Sequence, residues 1–205
     1  MTQIIVVRHG EVAGNVEGRA AFVGWSDPPL TARGEAQSRA VAQYLSSEKL
    51  AAVYSSDLRR ARLTAESIAE KQGLEVCVQR DLREVNYGAW EGLGETEILE
   101  GWPQLWPARQ GDPWSVAAPD GENYAQMWKR FVPHWHKIIE QHARETAVIV
   151  GHNGLIRILI CHLLAAPVEN FRCVHIGNCG VSRIEIGEGK VLVRGLNDVS
   201  FLKDL

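Results

Sequence analysis

The chain has no excess of positive charge: 22 lysines and arginines against 25 aspartates and glutamates leave a formal net charge of −3. Long-range attraction to nucleic acid or an anionic membrane is therefore not expected, and any affinity for an anion must be local, built from a few arginines in a pocket. Long apolar runs are missing too. The longest, Leu155 to Ala166, is interrupted by Arg157 and His162, and no signal peptide precedes the first apolar segment, so a cytoplasmic protein without membrane attachment is the expectation. The four cysteines, Cys77, Cys161, Cys173 and Cys179, show no CxxC spacing and two lie inside apolar runs; free buried thiols in a reducing compartment are the simplest reading. HExxH and carboxylate-rich clusters are absent, which speaks against a metallohydrolase. Without internal repeats, low-complexity tracts or linkers, residues 1–205 are expected to form one domain. Its 205 residues, 45% apolar and 23% charged, suffice for a sizeable core without staples.

What the chain does have is a recurring unit, a short apolar run that stops at a cationic or imidazole-bearing residue. Ile4-Ile5-Val6-Val7 reads as a strand buried on both faces of a parallel sheet. It ends in Arg8-His9-Gly10-Glu11, placing a guanidinium and an imidazole at the carboxyl edge of the sheet, where open α/β folds bind ligands. Glu11 to Leu30 is a long glycine- and polar-rich loop, and loops of that length inside compact domains tend to be functional, which makes Asn15, Arg19 and Trp25 candidates for the wall of a site. Thr31 has the form of an N-cap for a helix reaching about Ser47, with Glu35 in its first turn. Leu50 to Tyr54 reads as a second buried strand, and Ser55-Ser56-Asp57 as the turn and cap of a helix stopped by Gly73. Arg59 and Arg60 fall in that helix's first turn, opposing its dipole unless an anion sits nearby; the alternative is a pair of solvated surface arginines. Leu74 to Val78 alternates as a third strand and leads to Glu84.

From Gly92 to Gly121 the periodicity dissolves, with one helical turn near Thr96 to Leu99 and then Trp102, Pro103, Trp106, Pro107, Pro113 and Trp114. This reads as a lid-like excursion at about 93–121, or as a long loop that its tryptophans anchor to the core; the two are compatible. Glu122 to about His142 carries an apolar helical stripe that Pro133 should kink. On it His134 and His136 point to different faces, which suits surface residues better than a ligand pair. Thr146 to Val150 repeats the opening theme and ends in Gly151-His152-Asn153-Gly154, ahead of a helix from Leu155 to Leu164. Gly180 to Ile186 and Val191 to Gly195 read as a hairpin at the sheet edge. The fold class is α/β, a three-layer α/β/α sandwich whose central sheet is mostly parallel with an antiparallel edge strand.

In a parallel sheet, Arg8-His9, Arg60, Glu84 and His152 would share one edge and converge. Two arginines, two imidazoles and one carboxylic acid are what phosphoryl transfer requires: positive charge for the equatorial oxygens, a nitrogen nucleophile and an acid for the departing oxygen. That chemistry calls for no metal and no other cofactor.

These segments resemble the histidine phosphatase superfamily, whose members include cofactor-dependent phosphoglycerate mutases and several phosphatases. Arg8-His9-Gly10-Glu11 with Asn15 is similar to its RHGE signature. Gly24-Trp25-Ser26-Asp27 with Pro29-Leu30-Thr31 and Gly34, Ser55 to Ala61 with Thr64-Ala65, Leu82-Arg83-Glu84 with Trp90-Glu91-Gly92, and Gly151-His152 resemble its further blocks, in order, over almost the whole chain. The resemblance implies that His9 carries a phosphohistidine, that Glu84 is the general acid, and that Arg8, Arg60 and His152 complete the phosphate pocket, assisted by Asn15. Around them, Arg19, Gly24, Trp25, Gly151 and Asn153 are the phosphate- or substrate-binding candidates, with backbone N–H groups of Gly151, Asn153 and Gly154 offered to phosphate oxygens. Two positions depart from the pattern: Val12 stands where a hydroxyl residue is usual, and Asn153 where a glycine is common.

The expected activity is metal-independent hydrolysis of a small phosphate ester. The compact length favours this over a phosphoglycerate mutase, and the intact reactive set favours it over an inactive phospho-ligand or protein-binding module. The Trp/Pro excursion suggests a partly apolar or ring-bearing leaving group. No nucleic-acid or membrane partner is expected, and monomer and homodimer both stay open.

Overall fold

The computed structural model describes residues 1–15, 21–203 and 205, with the side chain of Asn15 excepted. Six strands form one sheet in the order β3-β2-β4-β1-β5-β6. Strands β1 (Thr2–Arg8), β2 (Ala52–Ser55), β3 (Val76–Val78) and β4 (Thr146–Gly151) run parallel, while β5 (Val181–Gly187) and β6 (Lys190–Asp198) form an antiparallel hairpin beside β1. The hairpin turns at Glu188 and Gly189, both at positive φ, as the tight turns that match strand twist require.

The apolar runs are continuous because both sheet faces are covered. Ile4, Val6, Ala147 and Ile149 pack on one face against α5 (Tyr124–Gln141) and α6 (Asn153–Leu163). The alternate residues Ile5, Val7, Val148 and Val150 pack on the other against α1 (Ala32–Tyr44) and α2 (Arg59–Gln72). This is the three-layer sandwich expected from the sequence. Strands β1 and β4 are neighbours, yet the helix after β1 covers one face and the helix after β4 the other. Their carboxyl ends therefore open at a topological switch point, where α/β sheets leave a crevice.

Several boundaries differ from the sequence reading, each for a local reason. Thr31 does cap α1, accepting from the Gly34 N–H, and Gly73 ends α2 at φ 64°. Asp57, however, does not cap α2. It makes a two-point pair with Arg83, 2.6 Å on each arm, and the Arg59 N–H donates instead to Asp27 Oδ1 at 2.8 Å, from a distant loop. The third strand is confined to Val76–Val78 at the sheet margin. The excursion contains two short helices rather than one turn, α3 (Glu95–Gly101) and α4 (Leu105–Gly111). Glu97 accepts from the Gly94 N–H at the start of α3, and Pro107 sits in the first turn of α4, where its missing N–H costs little.

Candidate active site

Strands β1 and β4 pair in register to their last residues, Arg8 opposite Gly151. The residue after each strand is a histidine, so the sheet itself sets the two imidazoles side by side, with ring centroids 5.2 Å apart. The His9 backbone is pinned from both sides: its N–H donates to the Gly151 carbonyl at 3.0 Å and its carbonyl accepts from Asn178 Nδ2 at 3.0 Å. The side chain is 4% exposed. Its Nδ1 lies 2.7 Å from the Gly10 carbonyl, which can only accept, so Nδ1 carries the proton and Nε2 keeps its lone pair. His152 is fully buried and pairs Nε2 with the Ser56 hydroxyl at 2.8 Å, leaving Nδ1 without a partner.

Arg60 is also fully buried. Its two amino groups donate to the Ser26 and Gly24 carbonyls at 2.8 and 2.6 Å, and its Nε has no partner. The surface reading of this arginine fails, because the loop from Gly24 to Asp27 folds over it. That loop is tied down by Glu91, whose carboxylate accepts from the N–H groups of Gly24, Trp25, Ser26 and Tyr87 and from the Ser26 hydroxyl, at 2.7–3.1 Å. The many donors hold Glu91 below the usual carboxylate range despite its burial. A Cβ on Gly24 would collide with the Val85 carbonyl and this carboxylate, so the turn needs a glycine.

Glu84 is 5% exposed. Its Oε1 accepts from the Val85 N–H at 2.9 Å and its Oε2 from the Gly154 N–H at 2.7 Å, at the start of α6. A Cβ on Gly154 would lie 2.6 Å from Oε1. The Glu84 carbonyl is held by the Trp25 indole N–H and by Arg130, at 2.8 and 2.7 Å. Arg130 also spans the carbonyls of Asp81 and Arg83 and pairs with Glu122, so one guanidinium fixes the whole segment before Glu84.

The electrostatics follow from burial and crowding. Both His9 and His152 lie well below the ordinary imidazole value, first because they are buried and then because Arg60 sits beside them, with Arg8 next for His9 and the neighbouring His9 and Arg130 next for His152; each is neutral near pH 7. Burial pulls Arg8 down to about 10, against the opposing effect of Glu84, so it stays cationic. One of its amino groups donates to the Ile176 carbonyl at 2.7 Å.

The structure thus brings together Arg8, His9, Arg60, Glu84 and His152. A cleft of about 420 Å³ opens on Arg8, His9, Glu84, Asn153 and Gly154. The other candidates fare differently. Gly24 and Trp25 do not line the cleft; Gly24 accepts from Arg60, and Trp25 holds the Glu84 carbonyl and lies under the guanidinium groups of Arg80, Arg83 and Arg130. Gly151 serves through its carbonyl, and the Gly154 N–H is committed to Glu84. Asn153 faces the cleft with its Oδ1 buried and unpartnered. Arg19 lies outside the described residues, as does the side chain of Asn15. Val12 is fully buried and bridges to Leu30, a packing position for which an apolar residue is suited. His134 is half-buried and bonded to Asp81 at 2.8 Å, whereas His136 is exposed.

Sequence reasoning named none of Glu91, Arg130, Ser56, Tyr87 and Arg109 as a site residue. Glu91 stood inside a quoted motif, but its loop partners Gly24, Trp25 and Ser26 are 65 to 67 residues away, beyond any local signal. The tryptophans mostly face inward: Trp90 and Trp106 form a small core with Ile98 and Ala118, Trp102 packs on it, and Trp114 packs on the main core. Trp106 alone of these also touches the cleft. Anchoring is thus the structural role of these rings.

A family model described as histidine phosphatase superfamily, branch 1, matches residues 4–199. Phosphoserine phosphatase 1 of Hydrogenobacter thermophilus is 33% identical over 197 residues, covering 96% of this chain and 92% of that protein. Phosphoglycerate mutase-like protein 4 of Arabidopsis thaliana is 39% identical over 206 residues, with 98% and 87% covered. Among solved structures, the α-ribazole phosphatase of Shigella flexneri superposes with a TM-score of 0.87 at 26% identity, over 96% of each chain. With the residues of the family's motifs gathered at one sheet edge, the chain belongs to the histidine phosphatase superfamily, as a phosphoric monoester hydrolase.

Proposed function

We propose that the protein hydrolyses a small phosphorylated metabolite through a phosphohistidine on His9, with Glu84 as general acid and no metal. The observation that carries this reading is the His9 tautomer: a buried, neutral imidazole whose Nδ1 proton is occupied by the Gly10 carbonyl presents Nε2 as the nucleophile. In the first step the Nε2 lone pair forms a bond to phosphorus and the P–O ester bond breaks. The departing oxygen takes the proton of Glu84. In the second step a water oxygen bonds to phosphorus, its proton passes to the Glu84 carboxylate, and the P–N bond breaks, restoring neutral His9. Arg8, Arg60 and His152 hold the equatorial oxygens. The unpartnered buried nitrogens Arg8 Nε, Arg60 Nε and His152 Nδ1 support that assignment, since an unpaired buried polar group costs about 1–3 kcal/mol that an anion offsets.

The arginines beside the imidazoles would repel a metal cation, which favours metal-free chemistry. The four free thiols, two of them buried, suit a reducing cytoplasm. Among the described residues no helix is long and apolar enough to cross a membrane. A mutase reading draws on the Arabidopsis relative's name. Phosphate release from p-nitrophenyl phosphate with EDTA present, alongside trapping of acid-labile phosphate on His9 and a mutase assay with 2,3-bisphosphoglycerate, separates these readings. Release that survives EDTA, with label on His9, is expected; mutase turnover exceeding hydrolysis would reverse the ranking, and an unlabelled protein without turnover would leave a binding module.

A further inference from the structure

Three arginines on the cleft, Arg109 of α4, Arg157 of α6 and Arg172 just beyond it, form no ion pair among the described residues. Arg109 is 4% exposed. Its guanidinium lies 5.5 Å from the Tyr87 ring and 5.5 Å from the Tyr124 ring. One amino group donates to the Val116 carbonyl, and the other is buried without a partner. A buried cation with neither a counter-ion nor a full set of acceptors is a costly arrangement unless an anion comes to it. Arg157 is half-buried and oriented by the carbonyls of Val174 and Arg172. Arg172 is exposed and donates to the Gln110 carbonyl at 2.8 Å, joining the excursion to the segment after α6.

The position of these charges matters as much as their number. The cations acting most strongly on His9 are Arg60 and Arg8, which form the phosphoryl end. Tyr87 and Tyr124, their hydroxyls 3.3 Å apart, carry the Arg109 guanidinium over their rings, and a Cβ on Gly154 would meet both Glu84 Oε1, at 2.6 Å, and the Tyr124 hydroxyl, at 3.0 Å. Since Glu84 is the acid for the departing oxygen, Arg109 belongs to the side of the cleft that receives the leaving group.

We propose that the substrate carries a second anionic group, a carboxylate or a second phosphate, on its leaving-group portion, and that Arg109, with Arg157 and Arg172, binds it. This rests on the hydrolase reading above and narrows it to small, doubly anionic phosphate esters, a size the cleft of about 420 Å³ suits. The guanidinium fork can bind either kind of anion at two points.

The test compares substrates that differ only in the second charge: 3-phosphoglycerate against glycerol 1-phosphate, and fructose 1,6-bisphosphate against fructose 6-phosphate. In one pair the doubly anionic member should win by about 10- to 100-fold in kcat/KM, the scale of charge-assisted hydrogen bonds, and the winning pair names the group. Arg109→Gln and the exposed Arg172→Gln should each shrink that ratio, by about tenfold for Arg109. A variant that merely folds poorly lowers both members alike. Titration calorimetry on His9→Ala reads the same preference as a ratio of Kd values without turnover. Failure of the wild type to release any phosphate would defeat the hydrolase reading alone, whereas equal Kd values within both pairs, or variants that leave the ratios unmoved, would overturn the second anion site.

Discussion

The β1/β4 crevice and the excursion over residues 93–121 meet at one cleft but are built on different principles. In the crevice the candidate groups are set by backbone: His9 and His152 follow paired strand ends, Glu84 takes two backbone N–H groups, and Arg60 is held by two backbone carbonyls. In the excursion two seven-residue helices are held by a separate small core of Trp90, Ile98, Trp106 and Ala118. The contrast suggests a division of labour. On the proposed reading, chemistry common to any phosphate ester would sit on the sheet edge, and discrimination among esters on an element packed on its own small core.

The largest expected effect tests the first half of that division. His9→Ala should lose ~10³-fold or more in turnover of every ester, as removal of a nucleophile does, and no substitution confined to the excursion should approach that. Activity close to wild type would end the mechanism. Next comes the tie that holds the loop over Arg60. Glu91→Ala strands the donors of Gly24, Trp25, Ser26 and Tyr87 and should cost about 2–4 kcal/mol of stability. Because the same loop holds Arg60, kcat/KM for p-nitrophenyl phosphate should fall with it. Denaturation midpoints and kinetics on Glu91→Gln, which keeps one acceptor oxygen, should fall between the two.

A smaller effect tests the independence of the excursion. Ile98 is fully buried in the minor core, and Ile98→Ala should remove about 2–3 kcal/mol there. Amide hydrogen exchange should speed up over 95–111 while β1 and β4 stay protected. Equal acceleration in both would show a single cooperative unit and erase the distinction.

The same contrast governs what could be read from the sequence. The crevice was legible because each of its groups is announced locally, by an apolar run ending in Arg8-His9 or Gly151-His152 and by motif blocks around Arg60 and Glu84. Asp57 misled, since a good capping residue was taken by Arg83 and the cap came from Asp27, 32 residues before the Arg59 N–H that it accepts from. The excursion was opaque for a physical reason. Helices of seven residues carry too few turns for periodicity to show, and the inward aim of Trp106 or the unpaired state of Arg109 depends on partners that only the tertiary fold supplies.

The smallest prediction concerns the cost of holding the crevice neutral. His9 titrates well below its ordinary value of 6.5 in the fold, whereas in the unfolded chain it takes up a proton as the pH drops below about 6.5. Between those two values the unfolded state binds more protons, so stability rises with pH. Its contribution is complete above about 6.5 and is lost, as the pH falls, at about 1.4 kcal/mol per pH unit. His152 behaves alike, and Glu91, a carboxylate held low, adds its own loss only under more acid conditions. His9→Ala removes one of these terms. In a phosphate-free buffer, its stability should therefore decline less steeply than the wild type between pH 6.5 and 5.5, by about 1.4 kcal/mol per unit at most. Parallel curves would mean that His9 is not held neutral by the crevice, and the backbone-set half of the comparison would lose its electrostatic basis.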